Sequence, residues 1–341
     1  MPESTAAQTL DAAAPGRRCP PEYVYTPRVF ARPAEFSAEV LYVVGGLYGN
    51  LPALREIERM AALEAAPASL LFNGDFHWFD ADADAFCAID FAVRPHLALR
   101  GNVETELVAV DESNGCGCAY PESVPDADVD RSNRILSRLR SALHAVERRV
   151  PGAAAWLREL PMHRVAEVGD ARIAIVHGDA WSLAGWRFAS SALHAPANAL
   201  LIQRAFEQAA VDVFACTHTC LPALKLFDTP AGERIVVNNG AAGMPNFHGR
   251  RAGLVTRIAT HPISRKLVER RAYGVDAAGV FIDALEVRFD PVAWDAKFAR
   301  LWPAGSAAAV SYAGRIADGP DFSVAEAIGR ATARACFAAT V

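Results

Sequence analysis

Six short stretches of this chain set a polar side chain beside a glycine or another small residue, and each follows an apolar run. They are Gly45-Gly46-Leu47-Tyr48-Gly49-Asn50, Asn73-Gly74-Asp75, Arg100-Gly101-Asn102-Val103-Glu104, His177-Gly178-Asp179, Thr217-His218-Thr219-Cys220-Leu221-Pro222 and Asn238-Asn239-Gly240. One such pairing is commonplace, whereas six in succession imply several loops converging on one cleft. Within them stand one carboxylate (Asp75), one amide oxygen (Asn102) and two imidazoles (His177 and His218). Together these donors suit a divalent first-row metal such as Zn, Mn or Fe. Each residue alone has a plainer reading. A single histidine is often buried and bonded to backbone, and Asp75 or Asn102 after a glycine can be a turn residue or helix cap.

Positioning such loops takes strands that end together. Short apolar runs recur at Val40–Val44, Ser69–Phe72, His96–Leu99, Ile173–Val176, Val211–Ala215 and Ile235–Val237. Their length and β-branched content favour buried strands. Helical patterns lie between them at Leu51–Ala65, Arg131–Val150 and Asn198–Ala210. Strands alternating with helices predict an α/β fold, whose ligands bind beyond the carboxyl ends of the strands. Leu254–Ile258 and Leu285–Phe289 follow without long helices between them, so part of the sheet is expected to be antiparallel. Pro291–Leu301 and Ser323–Phe337 read as closing helices, the first with proline at a favoured early position. Residues 1–37 read as an irregular leader with a short strand near Glu22–Phe30, and residues 38–341 as the domain proper, with an insertion at about 107–150. The polar stretch Asp111–Asp130 is expected to be a mobile loop.

The chain has 341 residues, of which 52% are hydrophobic and 21% charged, ample for a large buried core. A formal charge of −5 argues against a general nucleic-acid or membrane-surface binder. The N-terminus lacks the pattern of a secretory signal, and no apolar run is long enough to span a bilayer. Seven scattered cysteines suit a reducing cytoplasm better than a disulfide framework. Cys116 and Cys118 form a lone C-x-C pair in the expected loop, too few donors for a structural zinc, and Cys216 reads as core. The basic helix carrying Arg131, Arg134, Arg138, Arg140, Arg148 and Arg149 reads as a solvated face, the alternative being a cap that attracts phosphates. His96, His144, His163, His194 and His261 have no motif context and read as structural or surface residues.

In their order these loops resemble the motifs of the calcineurin-like metallophosphoesterases, especially the short bacterial and archaeal branch. That signature runs D-x-H-G-N-x-x-A-L, G-D, G-N-H-[DE], H-G, G-H-T-H-x-P and N-P-G-S. The likeness covers roughly residues 38–260 and implies a four-layer αββα sandwich of mixed sheets flanked by helices. It also implies roles. Asp75, Asn102, His177 and His218 match the ligands of the family's second metal. The first metal's aspartate and histidines fall on Gly46, Tyr48 and Cys220, and the family's catalytic histidine falls on Val103. Glycine offers no donor, a protonated phenol is a poor one, and cysteine serves only as thiolate.

One divalent ion is therefore expected rather than two, with Cys220 as an additional ligand or a redox-sensitive thiol. His77, two residues beyond Asp75, is a candidate replacement acid or base, and Tyr48 a candidate hydrogen-bond donor to phosphate or else a filler of the vacated pocket. Asn50, Glu104 and His248 are candidate substrate contacts. The implied function is hydrolysis of phosphomonoesters or phosphodiesters, with a phosphorylated small molecule or nucleotide as partner. The alternative is a non-catalytic pseudo-phosphoesterase that binds a phosphorylated ligand or protein.

Overall fold

The computed structural model describes residues 14–329. Its strands are β1 (Phe36–Ser37), β2 (Val40–Val44), β3 (Ala68–Asn73), β4 (Leu97–Leu99), β5 (His163–Val168) and β6 (Ala171–Val176). After them come β7 (Val213–Cys216), β8 (Ala223–Thr229), β9 (Gly232–Asn238), β10 (Gly253–Ala259), β11 (Arg271–Ala277) and β12 (Val280–Val287). The helices are α1 (Leu51–Ala61), α2 (Ala83–Val93), α3 (Asn102–Leu107), α4 (Asp126–Arg149) and α5 (Ala153–Glu159). They continue as α6 (Ser190–His194), α7 (Ala199–Ala209), α8 (Pro291–Leu301), α9 (Ala307–Asp318) and α10 (Val324–Ile328).

The strands form two six-stranded sheets, one in the order β1-β5-β6-β7-β9-β8 and the other β11-β12-β10-β2-β3-β4. Both are mixed: β6 runs antiparallel to β5 and parallel to β7 in the first, and β2, β3 and β4 run parallel in the second while β10 pairs antiparallel with β2 and β12. Alternation along β2 explains the layering. Leu41 and Val43 point to the interior between the sheets, where Leu71, Ile173, Ile175 and Val213 meet them. Val40, Tyr42 and Val44 point outward to the core under α1, α2, α4 and α8. On the far side, Ala174, Val176 and Phe214 pack against Ile202, Ala205 and Phe206 of α7. The architecture is the expected αββα sandwich. A strand covered on both faces reads as a continuous apolar run rather than an alternating one, which is why β2, β6 and β7 stand out in the sequence.

The N-terminal expectation needs correction. Residues 21–23 and 27–30 are short 3₁₀ turns rather than a strand, and the strand of this segment is β1, paired with β5. Nor is the described part a loose leader. Tyr23 and Phe30 are fully buried, and the Gly16 and Tyr120 backbones pair this segment with residues 114–120. The Tyr25 N–H donates to the Trp181 carbonyl and the Leu183 N–H to that of Tyr23, at 2.9 and 3.0 Å. Residues 1–13 lie outside the description.

The stretch from 111 to 130 is likewise no free loop. Its end, from Asp126, begins α4, and Cys116 and Cys118 are buried. The basic helix is largely paired: Arg140 is buried against Glu106 and Glu112, Arg131 bonds Asp128 and Ser311, and Arg138 lies over Trp302. Arg134, Arg138, Arg148 and Arg149 are exposed, as a solvated face requires. The final helix is shorter than expected, ending at Ile328, and the remainder of the stretch to Phe337 falls outside the described residues from 330 onward. Among the described residues no helix is long and apolar enough to cross a membrane.

Candidate metal centre

Four strand ends deliver the donors. Asp75 follows β3, Asn102 follows β4 as the first residue of α3, His177 follows β6 and His218 follows β7. All four side chains are buried. Asp75 takes a left-handed backbone (φ 55°) directly after Gly74 (φ 80°), a tight turn that swings its carboxylate back over the sheet end. The turn is held by Glu104, whose carboxylate accepts the N–H groups of Asp75, Phe76 and Gly101 at 2.8, 3.0 and 2.9 Å. Oδ1 of Asp75 accepts the Val103 N–H at 3.2 Å, leaving Oδ2 to face His177.

His177 Nδ1 donates to the Asn73 carbonyl at 2.7 Å, and His218 Nε2 donates to the Cys118 carbonyl at 3.0 Å. Those two bonds select the tautomers. They leave His177 Nε2 and His218 Nδ1 facing each other at 3.2 Å. Asn102 Oδ1 stands 3.2 Å from the same His177 nitrogen, its amide nitrogen being occupied by the Cys116 carbonyl, and Asp75 Oδ2 stands 3.4 Å from it. Donors bound at about 2.0–2.2 Å around a tetrahedral ion lie about 3.3–3.6 Å apart. Such a knot needs a shared positive centre, a proton on His177 or an ion in its place, and the donor set fits a divalent ion. Asp75, His177 and His218 can each turn a ligand atom to within 4.8 Å of the others.

The electrostatics point the same way. Burial works against the charged form of His177, but the Asp75 carboxylate outweighs it and raises the pKa above the usual imidazole range. For Asp75, burial is likewise overcome, chiefly by His177, and its pKa falls. His218 is pushed down to about 4 by burial and by His177. Burial, then Asp75, lifts Glu104.

Above the donors lies a cavity of about 70 Å³ walled by Tyr48, Trp78, Tyr120, Trp186 and Tyr312, with Cys118, Thr219 and Cys220 completing it. Tyr48, also left-handed (φ 53°), lays its ring where a side chain at position 46 would project, so that a Cβ built on Gly46 would collide with it. Its hydroxyl meets Cys220 Sγ at 2.8 Å. Burial raises both the phenol and the thiol, keeping each protonated.

No protein-family model matches the chain, and no curated protein does. Among solved structures, a hypothetical protein from Pyrococcus horikoshii aligns over 83% of this chain and 99% of its own at 17% identity, with a TM-score of 0.51. A metallophosphoesterase from Sphaerobacter thermophilus aligns over 82% of this chain and 100% of its own at 16% identity, with a TM-score of 0.47. Two mixed sheets face to face, with the donor loops at their shared end, complete the pattern. The chain has the calcineurin-like metallophosphoesterase fold.

Within that fold the expected residues divide. Asp75, Asn102, His177 and His218 come together. Cys220 lines the same cavity, but its sulfur is engaged by Tyr48 and by the His218 carbonyl (3.3 Å) and lies outside the donor cluster. Tyr48 is the filler of the position that Gly46 leaves open. His77 is misplaced as an acid or base: it is fully buried, stacks on Phe86 at 3.6 Å and bonds Asp80 at 3.0 Å, away from the cavity. Asn50 is a helix cap, accepting the Ala53 N–H and donating to the Gly243 carbonyl, both at 3.0 Å. Glu104 holds the Asp75 turn from behind and does not line the cavity. His248 sits on the surface beside Asp318.

Two residues escaped the sequence reading. Cys118, expected in a flexible loop, orients His218 through its carbonyl. Trp186 donates its indole N–H to that same carbonyl at 3.0 Å and sets its ring edge against His218. A backbone carbonyl leaves no residue-type signal, and a tryptophan in a loop is no ligand motif.

Proposed function

We propose that this chain is a mononuclear metallophosphoesterase-like hydrolase acting on a phosphorylated small molecule. Asp75, Asn102, His177 and His218 would hold one divalent transition metal (Zn, Mn or Fe), and Tyr48 would fill the second ion's place. One observation carries the reading: two buried imidazoles, each bonded to a carbonyl through one nitrogen, aim their other nitrogens at each other beside a carboxylate and an amide oxygen. A bound ion would supply Lewis acidity, drawing charge from a phosphoryl oxygen and acidifying water. The chain's own residues would do the rest. Asn73 and Cys118 fix the ligand tautomers, Glu104 fixes Asp75, and the aromatic walls limit solvent around the reacting group. The scattered cysteines support a cytoplasmic setting.

A non-catalytic binder is the second reading. It draws on the cavity lining, which offers no acid or base besides the ligands and raised thiols and phenols. Elemental mass spectrometry on protein purified without chelator or affinity metal tests the first reading, with about one ion per chain expected and loss of it in His218→Ala. Hydrolysis of bis(p-nitrophenyl) phosphate that follows the added metal and vanishes in Asp75→Ala would exclude the binder. No retained ion after Mn or Zn supplementation would sink the metal reading.

A further inference from the structure

The cavity over the donors does not close at Trp186 and Thr219. Those two residues also line a neighbouring groove of about 670 Å³, bordered by Pro121, Ser190, His194, Leu221 and Phe322. The volumes differ in kind. About 70 Å³ accommodates a phosphoryl group and little else, whereas the groove has the size of a small-molecule site.

Charge is the second constraint. Among the described residues no lysine or arginine lines either space. The Arg315 guanidinium, behind the cavity wall, bonds the Cys220 and Pro245 carbonyls at 2.8 and 3.0 Å, and its charge acts on Tyr48 and Cys220. Imidazoles and amides ligate as neutral groups, so a divalent ion beside the Asp75 carboxylate leaves a net charge of about +1. The Glu104 carboxylate, buried behind Asp75, and the Arg315 guanidinium carry opposite charges and offset one another. A phosphomonoester carries close to two negative charges above its second pKa of about 6, more than that balance of about +1. A phosphodiester carries one. Its two substituents also need two directions, and the site offers them as the aromatic wall and the groove.

Resting on the single-ion reading, we propose that the site selects a phosphodiester-type monoanion over a phosphomonoester-type dianion, with one substituent against the aromatic wall and the other running past Trp186 and Thr219 into the groove.

The matched probes are phenylphosphonate, a dianion at pH 8.5, and its monomethyl ester, a monoanion. Phenylphosphonate has no ester bond, and the single hydrolysable bond of its methyl ester breaks only with methoxide, a poor leaving group. Calorimetric titration of each into the full-length Mn-loaded protein should show the monoester binding at least tenfold more tightly. Trp186→Ala should weaken the monoester severalfold with the ion still in place by elemental analysis. Equal or tighter binding of the dianion, or binding of neither probe to loaded protein, overturns the selectivity and leaves the metal reading standing. Failure of the protein to take up Mn overturns both.

Discussion

At the level of single residues, position 46 and position 48 are one unit. The Tyr48 ring occupies the space that a side chain at 46 would need, and its hydroxyl closes on Cys220. Gly46→Asp alone should overpack this site and cost about 1–3 kcal/mol. Tyr48→His alone leaves a void and should also destabilise. In the double variant the two changes relieve each other, so chemical-denaturation midpoints should show coupling of at least about 1 kcal/mol, the size typical of residues in contact. Additive effects would mean that the ring does not hold the position it takes here. Glu104 is the other critical residue. Glu104→Ala would strand three buried N–H groups, each worth about 1–3 kcal/mol when unsatisfied. It should unfold the chain or lower its melting temperature by many degrees, whereas loss of a mere substrate contact would leave stability intact and raise KM.

Among the elements, the segment between α3 and α4 matters more to the site than its polar composition implies. It carries the carbonyl that orients His218, and it is clamped by the N-terminal segment through Gly16 and Tyr23. Gly117 turns there with φ 64°, and a Cβ on it would lie 2.6 Å from the Tyr23 hydroxyl and 2.7 Å from Glu106. Gly117→Ala should therefore cost about 1–3 kcal/mol and displace Cys118. Groups that orient a metal-bound histidine are typically worth about 10- to 100-fold in affinity. A competition titration with a chromophoric chelator should show a loss of that order, and unchanged affinity would remove Cys118 from the account of the site.

For the molecule as a whole, two buried features set the response to acid and to mutation. His163 is pushed down to about 4 by burial and by Arg32, and His218 to about 4 by burial and His177. Both are neutral bases whose folded pKa lies below the unfolded value of about 6.5. The unfolded chain takes up these protons first, so their stabilising effect is complete above pH 6.5 and is lost as the pH falls towards 4. Each contributes a slope of at most about 1.4 kcal/mol per pH unit in that window. Melting temperature in chelator should fall between pH 6.5 and 4.5, and His163→Gln should flatten part of the decline. The other feature is Arg257 on β10, fully buried between Glu64 at 2.7 Å and Asp283 at 3.0 Å. Arg257→Ala removes the charge shared by two buried carboxylates, leaving Glu64 with Tyr42 and Asp283 with Arg271, and should cost about 3–5 kcal/mol, read from urea unfolding.

The sequence by itself determined the central strands and the four polar residues that come together at their ends. Strands buried on both faces must be apolar throughout, and residues that end such strands beside a glycine advertise their position. β5, β8 and β11 were missed because half of each faces solvent or mixed surroundings, which breaks the apolar run. α2 is apolar almost all round and α9 is rich in alanine, so neither shows a clear stripe. Only the tertiary structure decided where His77 points, because stacking on Phe86 is a contact between elements. It alone placed the Cys118 carbonyl and Trp186 over His218 and tied the N-terminal segment to the site. Local chemistry names the groups that can bind an ion; which of them face the same point depends on how distant segments pack.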